Sequence, residues 1–104
     1  MTPDPRRSMK LLYFRADWCG VCHQKRPVAE EIARAHGLPL EVFDVEDDAG
    51  RAESESRRIR GIPTLALADG ERVRFRLVGS MITPENVAQL LARIPPPAGG
   101  PPGA

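Results

Sequence analysis

The only two cysteines of the chain lie three residues apart in the segment Trp18-Cys19-Gly20-Val21-Cys22. A stretch with helical character follows, so Cys19 is expected at a helix N-terminus, where unpaired backbone N–H groups carry a partial positive charge. Such a field stabilises a thiolate and lowers the pKa of a thiol from about 8.5 toward roughly 7. Cys22 lies one turn further on the same face, within reach of a disulfide. The pattern predicts a dithiol–disulfide couple in which Cys19 attacks and Cys22 resolves.

The composition is typical of one small globular domain. With 104 residues, of which 41% are hydrophobic and 28% charged, the chain can bury about two-thirds of its unfolded surface around one core. The formal net charge is only +1, so we expect neither nucleic acid nor a membrane as a partner. We expect a monomer with a short leader over 1–9, a domain over 10–94 and a flexible Pro/Gly/Ala tail over 95–104.

The N-terminal region does not have the pattern of a signal peptide. Its apolar stretch, Leu11 to Phe14, is too short for a signal-peptide core, and no run approaches the about 18 apolar residues of a membrane span. These features predict a cytoplasmic protein. In that reducing compartment, a close cysteine pair is more often catalytic or metal-binding than structural.

Strand and helix signals alternate along the first half of the chain. They predict a strand over 10–14, a helix over 19–36 that is kinked by Pro27, and a second strand over 40–45. This series predicts a parallel strand pair joined by a right-handed crossover. The polar segment that continues to Ile59 predicts a short helix with an acidic start. The cysteines therefore follow the C-terminal end of the first strand, where active sites of open α/β sheets usually lie.

The second half predicts an antiparallel hairpin and a final helix. Strands over 64–68 and 73–77 flank a turn sequence that contains Gly70. Alternation along the second strand predicts an apolar face with Val73, Phe75 and Leu77 and a wet or partly covered face with Arg72, Arg74 and Arg76. Thr83-Pro84 predicts the start of the helix, since threonine caps it and proline suits its first position. An apolar stripe follows at helical spacing, formed by Val87, Leu90, Leu91 and Ile94.

Three segments resemble the thioredoxin family, in the family's order and at its spacing, between about Leu11 and Ile94. They are Ala16 to Cys22, similar to the active-site segment; Arg60 to Thr64, similar to the cis-proline turn; and Val78 to Ser80, similar to the glycine-bearing docking loop. The resemblance implies an α/β, thioredoxin-like fold, β-α-β-α-β-β-α, with a mixed four-stranded sheet and helices packed on it. It also implies a thiol–disulfide oxidoreductase that reduces or exchanges disulfides of protein substrates and needs no cofactor.

The resemblance also implies roles for the residues around the two catalytic cysteines. The Ile62–Pro63 bond should be cis and lie beside the sulfurs, which leaves the Ile62 backbone free to pair with an extended substrate segment. Gly79 allows close backbone approach on the other side of the groove. The implied partners are protein disulfides and a thioredoxin-reductase-like or other dithiol electron donor. The implied substrate-binding residues are Trp18, Gly20, Val21, Ile62, Pro63 and Gly79.

The chain departs from the family's pattern in several places. Tyr13 stands where thioredoxins commonly hold a buried Asp beneath the second cysteine, so the proton of Cys22 would pass to water, His23 or a substrate group. A buried Lys on the following strand has no counterpart. Gly20-Val21 replaces the Gly-Pro of many thioredoxins, and such changes move the reduction potential, so reductase and oxidase roles both stay open. The short stretch before the first strand implies a truncated N-terminus.

Other functions also fit parts of the motif. Cys19 to His23 matches the c-type haem attachment sequence, which needs an oxidising compartment and a second axial ligand such as Met81. Zinc bound by the cysteines with His23 and His36 is disfavoured, because adjacent helical residues point apart, and we expect no metal. His23 is either a solvated surface residue or a group that tunes the pKa of Cys19. A non-catalytic interaction module is the alternative to an enzyme.

Overall fold

The computed structural model describes residues 8–94. The tail predicted over 95–104 and the predicted leader, apart from Ser8 and Met9, lie outside the described residues. The elements follow the order β-α-β-α-β-β-α that the sequence predicts. None of the helices within 8–94 is long and apolar enough to cross a membrane.

Four strands form one mixed sheet. They are β1 (Met9–Arg15), β2 (Leu40–Asp44), β3 (Thr64–Asp69) and β4 (Arg72–Val78). The spatial order is β2-β1-β3-β4, with β1 parallel to β2 and antiparallel to β3, and β3 antiparallel to β4. The predicted mixed four-stranded α/β fold is thereby confirmed. Because of these directions, the end of β1, the start of β3 and the end of β4 lie at one end of the sheet.

Three helices flank the sheet, and each begins at a side chain that caps it. They are α1 (Gly20–His36), α2 (Asp48–Ser56) and α3 (Pro84–Ala92), capped by Cys19, Asp47 and Thr83, respectively. Each capping side chain accepts a backbone N–H of the first turn. At the other end of α1, Gly37 adopts a left-handed conformation with φ of 64° and ends the helix. A short 3₁₀ turn spans Gly79–Met81.

Apolar residues pack on both faces of the sheet. The larger cluster joins α1 and α3 to the sheet and includes Leu11, Tyr13, Ile32, Leu65 and Val87. The cluster on the opposite face contains Leu12, Phe14, Ala66 and Ala68. Successive residues of β1 alternate between the two clusters, as the pleat of a strand requires. Tyr13 is thereby placed on the face that α1 covers.

The alternation predicted for β4 is wrong at its start. Leu67 of β3 pairs with Phe75, whereas the next residue, Ala68, pairs with Val73, so Arg74 is an extra residue in a β-bulge. Val73 consequently packs against the second cluster, while Phe75 packs against the larger one. Arg74 is half-buried and forms an ion pair with Asp69 at 3.5 Å. The strand therefore lacks a single continuous face of arginines.

Candidate active site

Cys19 is the N-cap of α1, and its sulfur is tied to the first turn of the helix. The Cys19 Sγ accepts a hydrogen bond from the backbone N–H of Cys22 at 3.1 Å. The two side chains are joined as a disulfide, with Cα atoms 5.2 Å apart. The (i, i+3) spacing at a helix N-terminus therefore brings the two sulfurs into bonding range, as the sequence predicts. The same N–H group would remain aimed at the Cys19 sulfur as a thiolate, which favours the anion.

The two cysteines are nearly buried and pack against apolar side chains. Cys19 is 7% exposed and Cys22 is 2% exposed, so Cys19 is the outer residue of the pair. They form a small cluster with Ala16, against which Val45 and Ile62 pack. Cys19 is therefore the more accessible of the two cysteines to an incoming disulfide.

The turn before β3 adjoins the cysteines. The Ile62–Pro63 peptide bond is cis, the isomer that the resemblance implies, and Pro63 is fully buried. Ile62 packs against the cysteine cluster. The hydroxyl of Thr64 donates to the Gly61 carbonyl at 2.5 Å and so holds the turn from the β3 side.

The segment after β4 is joined to this turn. The N–H of Gly79 donates to the Pro63 carbonyl at 2.9 Å. Gly79 has a φ of 60°, a left-handed backbone conformation that residues other than glycine rarely adopt. From α1, the Lys25 ammonium donates to the Ile82 carbonyl at 3.0 Å. The Pro63 turn, the Gly79 turn and α1 are thus connected at the same end of the sheet.

Exposed apolar side chains lie in the two segments that converge at this end of the sheet. Among residues 8–94, the large hydrophobic side chains classed as exposed are Trp18, Val21, Val78 and Met81. All four belong to the cysteine segment or to the segment around Gly79. Gly20 has open space where a Cβ would stand. Within the described residues, the large exposed apolar side chains are therefore concentrated at the end of the sheet where a disulfide substrate would approach.

A shallow cavity of about 250 Å³ adjoins this surface. Trp18 and Ile62 line it together with Val45, Ile59 and Arg60. The indole N–H of Trp18 donates to the Glu46 carboxylate at 3.0 Å, which orients the ring. Trp18 therefore forms one wall of the cavity and Ile62 another, as a groove beside the sulfurs requires.

The comparison with protein families agrees with this arrangement. The family model described as Thioredoxin matches residues 5–93. The chain belongs to the thioredoxin family. Members of this family are disulfide oxidoreductases, and the family's cysteine pair is present here at bonding distance. The protein is thus a thiol–disulfide oxidoreductase, as the sequence predicts.

Individual thioredoxins show the extent of the likeness. Thioredoxin 1 of Synechococcus elongatus is 39% identical over 61% of this chain and 60% of its own length. The thioredoxin of Pseudomonas aeruginosa is 33% identical over 81% of this chain and 78% of its own length. A solved mutant thioredoxin from Halobacterium salinarum superimposes with a TM-score of 0.68, at 29% identity, and covers 80% of this chain and 71% of that one.

Tyr13 also belongs to the site of this thioredoxin-family protein, through a contact with Cys22 that the sequence did not reveal. Its side chain is fully buried, and its hydroxyl donates to the Cys22 carbonyl at 2.5 Å. Burial raises the pKa of Tyr13 to about 12, although the nearby cations Arg26 and Arg15 oppose this rise. A neutral hydroxyl group therefore lies directly beneath the second cysteine. The residue type at this position is plain from the sequence, but a hydrogen bond from a strand to a helix has no local sequence signal.

Charged groups flank the cysteine segment on its solvent side. Arg15 forms ion pairs with Asp17 and with Asp44, the latter at 3.2 Å. The hydrogen bond and charge of Arg15 hold the pKa of the Asp17 carboxyl below its ordinary value, and the charge of His23 acts in the same direction. The His23 Nε2 lies 2.8 Å from the Asp17 carbonyl oxygen. These contacts fasten the loop between β1 and α1 at its exposed side.

No group of three or more His, Cys, Asp or Glu side chains within 8–94 has the geometry to hold a metal ion. His36 lies at the C-terminal end of α1, while the cysteines lie at its N-terminal end. A helix of 17 residues is about 25 Å long, so His36 is far from both sulfurs. The structure does not bring together the four residues considered for zinc.

Proposed function

We propose that this protein reduces disulfides of protein substrates, with Cys19 as the attacking and Cys22 as the resolving residue. The observation that carries the proposal is the hydrogen bond from the Cys22 N–H to the Cys19 sulfur at a helix N-terminus. It supports Cys19 as the stabilised thiolate. The greater exposure of Cys19 supports the same order of attack.

The reaction proceeds by two exchanges. The Cys19 thiolate attacks one sulfur of the substrate disulfide, and a mixed disulfide forms while the other substrate sulfur leaves as a thiolate. Cys22 then loses its proton and attacks the Cys19 sulfur, which releases the second substrate thiolate. Both substrate thiolates take up protons from solvent. The substrate gains two electrons, and the protein is left with the Cys19–Cys22 disulfide.

Substrate docking is proposed to use the main chain beside the sulfurs. The Ile62 backbone takes part in no hydrogen bond within the part of the chain that the structure describes. An extended substrate segment could pair there as an added strand, with Pro63 below it. The left-handed turn at Gly79 leaves open space on the opposite side. Trp18, Gly20 and Val21 would provide the apolar contacts.

The oxidised protein needs a source of electrons before it can act again. We propose a dithiol donor, such as a thioredoxin-reductase-like protein, because exchange with a dithiol returns Cys19 and Cys22 to thiols by the same chemistry. We propose that the protein acts as a monomer in the cytoplasm, where such donors keep dithiol couples reduced. The domain of 10–94 contains all the proposed site residues.

Insulin reduction with dithiothreitol as electron source tests this function. The wild-type protein should accelerate the precipitation of reduced insulin, while Cys19→Ser should not. Cys22→Ser should form a mixed disulfide with the substrate and turn over slowly. A wild-type rate no higher than that of Cys19→Ser would refute the enzymatic function and leave the interaction module.

A further inference from the structure

Tyr13 links the central sheet to the first turn of α1. It is the only tyrosine of the chain, it lies on β1, and its side chain is fully buried in the larger cluster. Its hydroxyl donates to the carbonyl oxygen of Cys22 at 2.5 Å. A buried hydroxyl usually finds a backbone partner, but here the partner belongs to a reacting residue. The proposed mechanism gives this contact no role.

Both backbone polar groups of Cys22, its N–H and its C=O, are therefore hydrogen-bonded within the site. Its N–H donates to the Cys19 sulfur at 3.1 Å, and its C=O accepts from Tyr13. The direction of its Cα–Cβ bond is thereby fixed relative to the Cys19 sulfur. For an intramolecular attack, such fixed geometry raises the effective concentration of the nucleophile.

We infer that Tyr13 is a positioning residue for the resolving step: its hydroxyl holds the Cys22 backbone so that the Cys22 sulfur lies within attacking distance of Cys19 in the mixed disulfide. This inference rests on the proposed dithiol mechanism. The Cys22 thiol gives its proton to a solvent base, and its thiolate bonds to the Cys19 sulfur. The bond from Cys19 to the substrate sulfur breaks, and the substrate thiolate is then protonated by solvent.

The hydroxyl acts as a hydrogen-bond donor and not as a proton acceptor. Its pKa is raised to about 12 by burial, so it stays protonated over the pH range in which thiols ionise. The charged groups whose fields reach it are Arg26 from α1 and Arg15 from β1, both cationic. Among the described residues the other buried polar side chains are Ser54 and Thr64, neither of them a carboxylate. The effect of Tyr13 on the resolving step should therefore be the same at pH 6.5 and at pH 8.5, because the hydroxyl is protonated at both.

Rapid mixing of dithiobis(nitrobenzoate) with an excess of the reduced protein separates the two steps, because no reagent is left to react with Cys22 directly. The first released nitrothiolate reports attack by Cys19, and the second reports resolution by Cys22. Tyr13→Phe keeps the ring and its packing but removes the donor. It should slow the second phase about five-fold, which corresponds to about 1 kcal/mol, and change the first phase less than about two-fold. The slowing should be equal at pH 6.5 and pH 8.5.

Leu11→Val is the matched control, because Leu11 lies on the same strand and in the same cluster as Tyr13. It should lose stability through a deleted core methylene but keep both phases at the wild-type rate. Equilibration with glutathione is the second measurement. Tyr13→Phe should shift the equilibrium toward the dithiol by the same factor of about five, since a less ordered pair closes less readily.

The rates of the two variants and of the wild-type protein decide whether Tyr13 positions Cys22. A Tyr13→Phe variant that resolves at the wild-type rate would overturn the inference, and so would equal slowing in Leu11→Val. A slowing that depends on pH would identify Tyr13 as a proton acceptor and also overturn it. If the wild-type protein releases only one nitrothiolate per molecule of reagent, the dithiol mechanism of the proposed function fails, whatever the effect of Tyr13→Phe.

Discussion

The two cysteines have unequal surroundings although they are three residues apart. Cys19 caps α1, is the more exposed of the two, and its sulfur receives a backbone N–H. Cys22 lies inside the first turn, with its carbonyl bonded to the buried hydroxyl of Tyr13. One residue is therefore equipped to attack, and the other is placed to resolve. The sequence predicts this division from the spacing, because the cause of the asymmetry is the start of a helix.

His23 offers a test of charge near the attacking sulfur. Its side chain lies beside the Asp17 carbonyl, one turn from Cys19. If its cationic form stabilises the thiolate, His23→Ala should shift the midpoint of Cys19 alkylation by iodoacetamide to higher pH by a fraction of a unit. His36→Ala, at the other end of α1, is the control and should leave the midpoint unchanged. An unchanged midpoint in His23→Ala would assign His23 to the surface alone.

The ionisation of Tyr13 can be measured without a variant, since the chain contains one tyrosine. Tyrosinate absorbance should stay absent in the folded protein well above pH 10 and should rise only toward pH 12, because burial raises the pKa of Tyr13 to about 12. The unfolded chain releases this proton near pH 10, whereas the native protein retains it. The contribution of Tyr13 to stability is therefore complete below pH 10 and is lost between pH 10 and 12. Ionisation of Tyr13 near pH 10 in the folded protein would contradict the burial of its side chain.

The elements of the fold differ in how far the sequence could predict them. Cys19, Thr83-Pro84 and Gly37 are local signals at helix ends, and the helices begin and end there. The bulge at Arg74 has no such signal, because it depends on how β3 and β4 pair across the sheet. The bond from Tyr13 to Cys22 is also set by the packing of α1 on β1. Local patterns thus predicted the elements, while contacts between elements required the structure.

The packing of α2 on β2 provides a test of one such contact. A Cβ added at Gly50 would lie 1.8 Å from the Asp44 carbonyl oxygen, so α2 would have to move away from the strand. We expect Gly50→Ala to lower the free energy of unfolding by about 2 kcal/mol in urea titrations, despite the higher helix propensity of alanine. Gly20→Ala is the control, because nothing lies within 4 Å of its Cβ position. Equal or higher stability of Gly50→Ala would contradict the close approach of α2 to β2.

The molecule as a whole brings distant segments together at one end of its sheet. The cysteine segment follows β1, the Pro63 turn precedes β3, and Gly79 follows β4, so strand direction alone places them side by side. The exposed apolar side chains collect around the same end. The three-segment resemblance predicted this convergence. The cavity beside Trp18 and the ties from Gly79 and Lys25 could be seen only in three dimensions.

The exposed apolar side chains at this end of the sheet should contribute more to the binding of protein substrates than to the reaction with small disulfides. Trp18 is 68% exposed, so it can bury a large area against a partner. Trp18→Ala should raise the KM for a protein disulfide about ten-fold and leave the first phase with dithiobis(nitrobenzoate) within about two-fold. Trp18→Phe keeps an aromatic face without the bond to Glu46 and should show a smaller increase in KM. Equal losses for the small and the protein substrate would contradict a docking role.

The proposed mechanism depends above all on the order in which the two cysteines attack. Mass spectrometry of single-cysteine variants mixed with an oxidised protein substrate measures it directly. Cys22→Ser should accumulate one mixed disulfide per molecule through Cys19, and Cys19→Ser should form almost none. Comparable adducts in the two variants, or an adduct only through Cys22, would contradict the account.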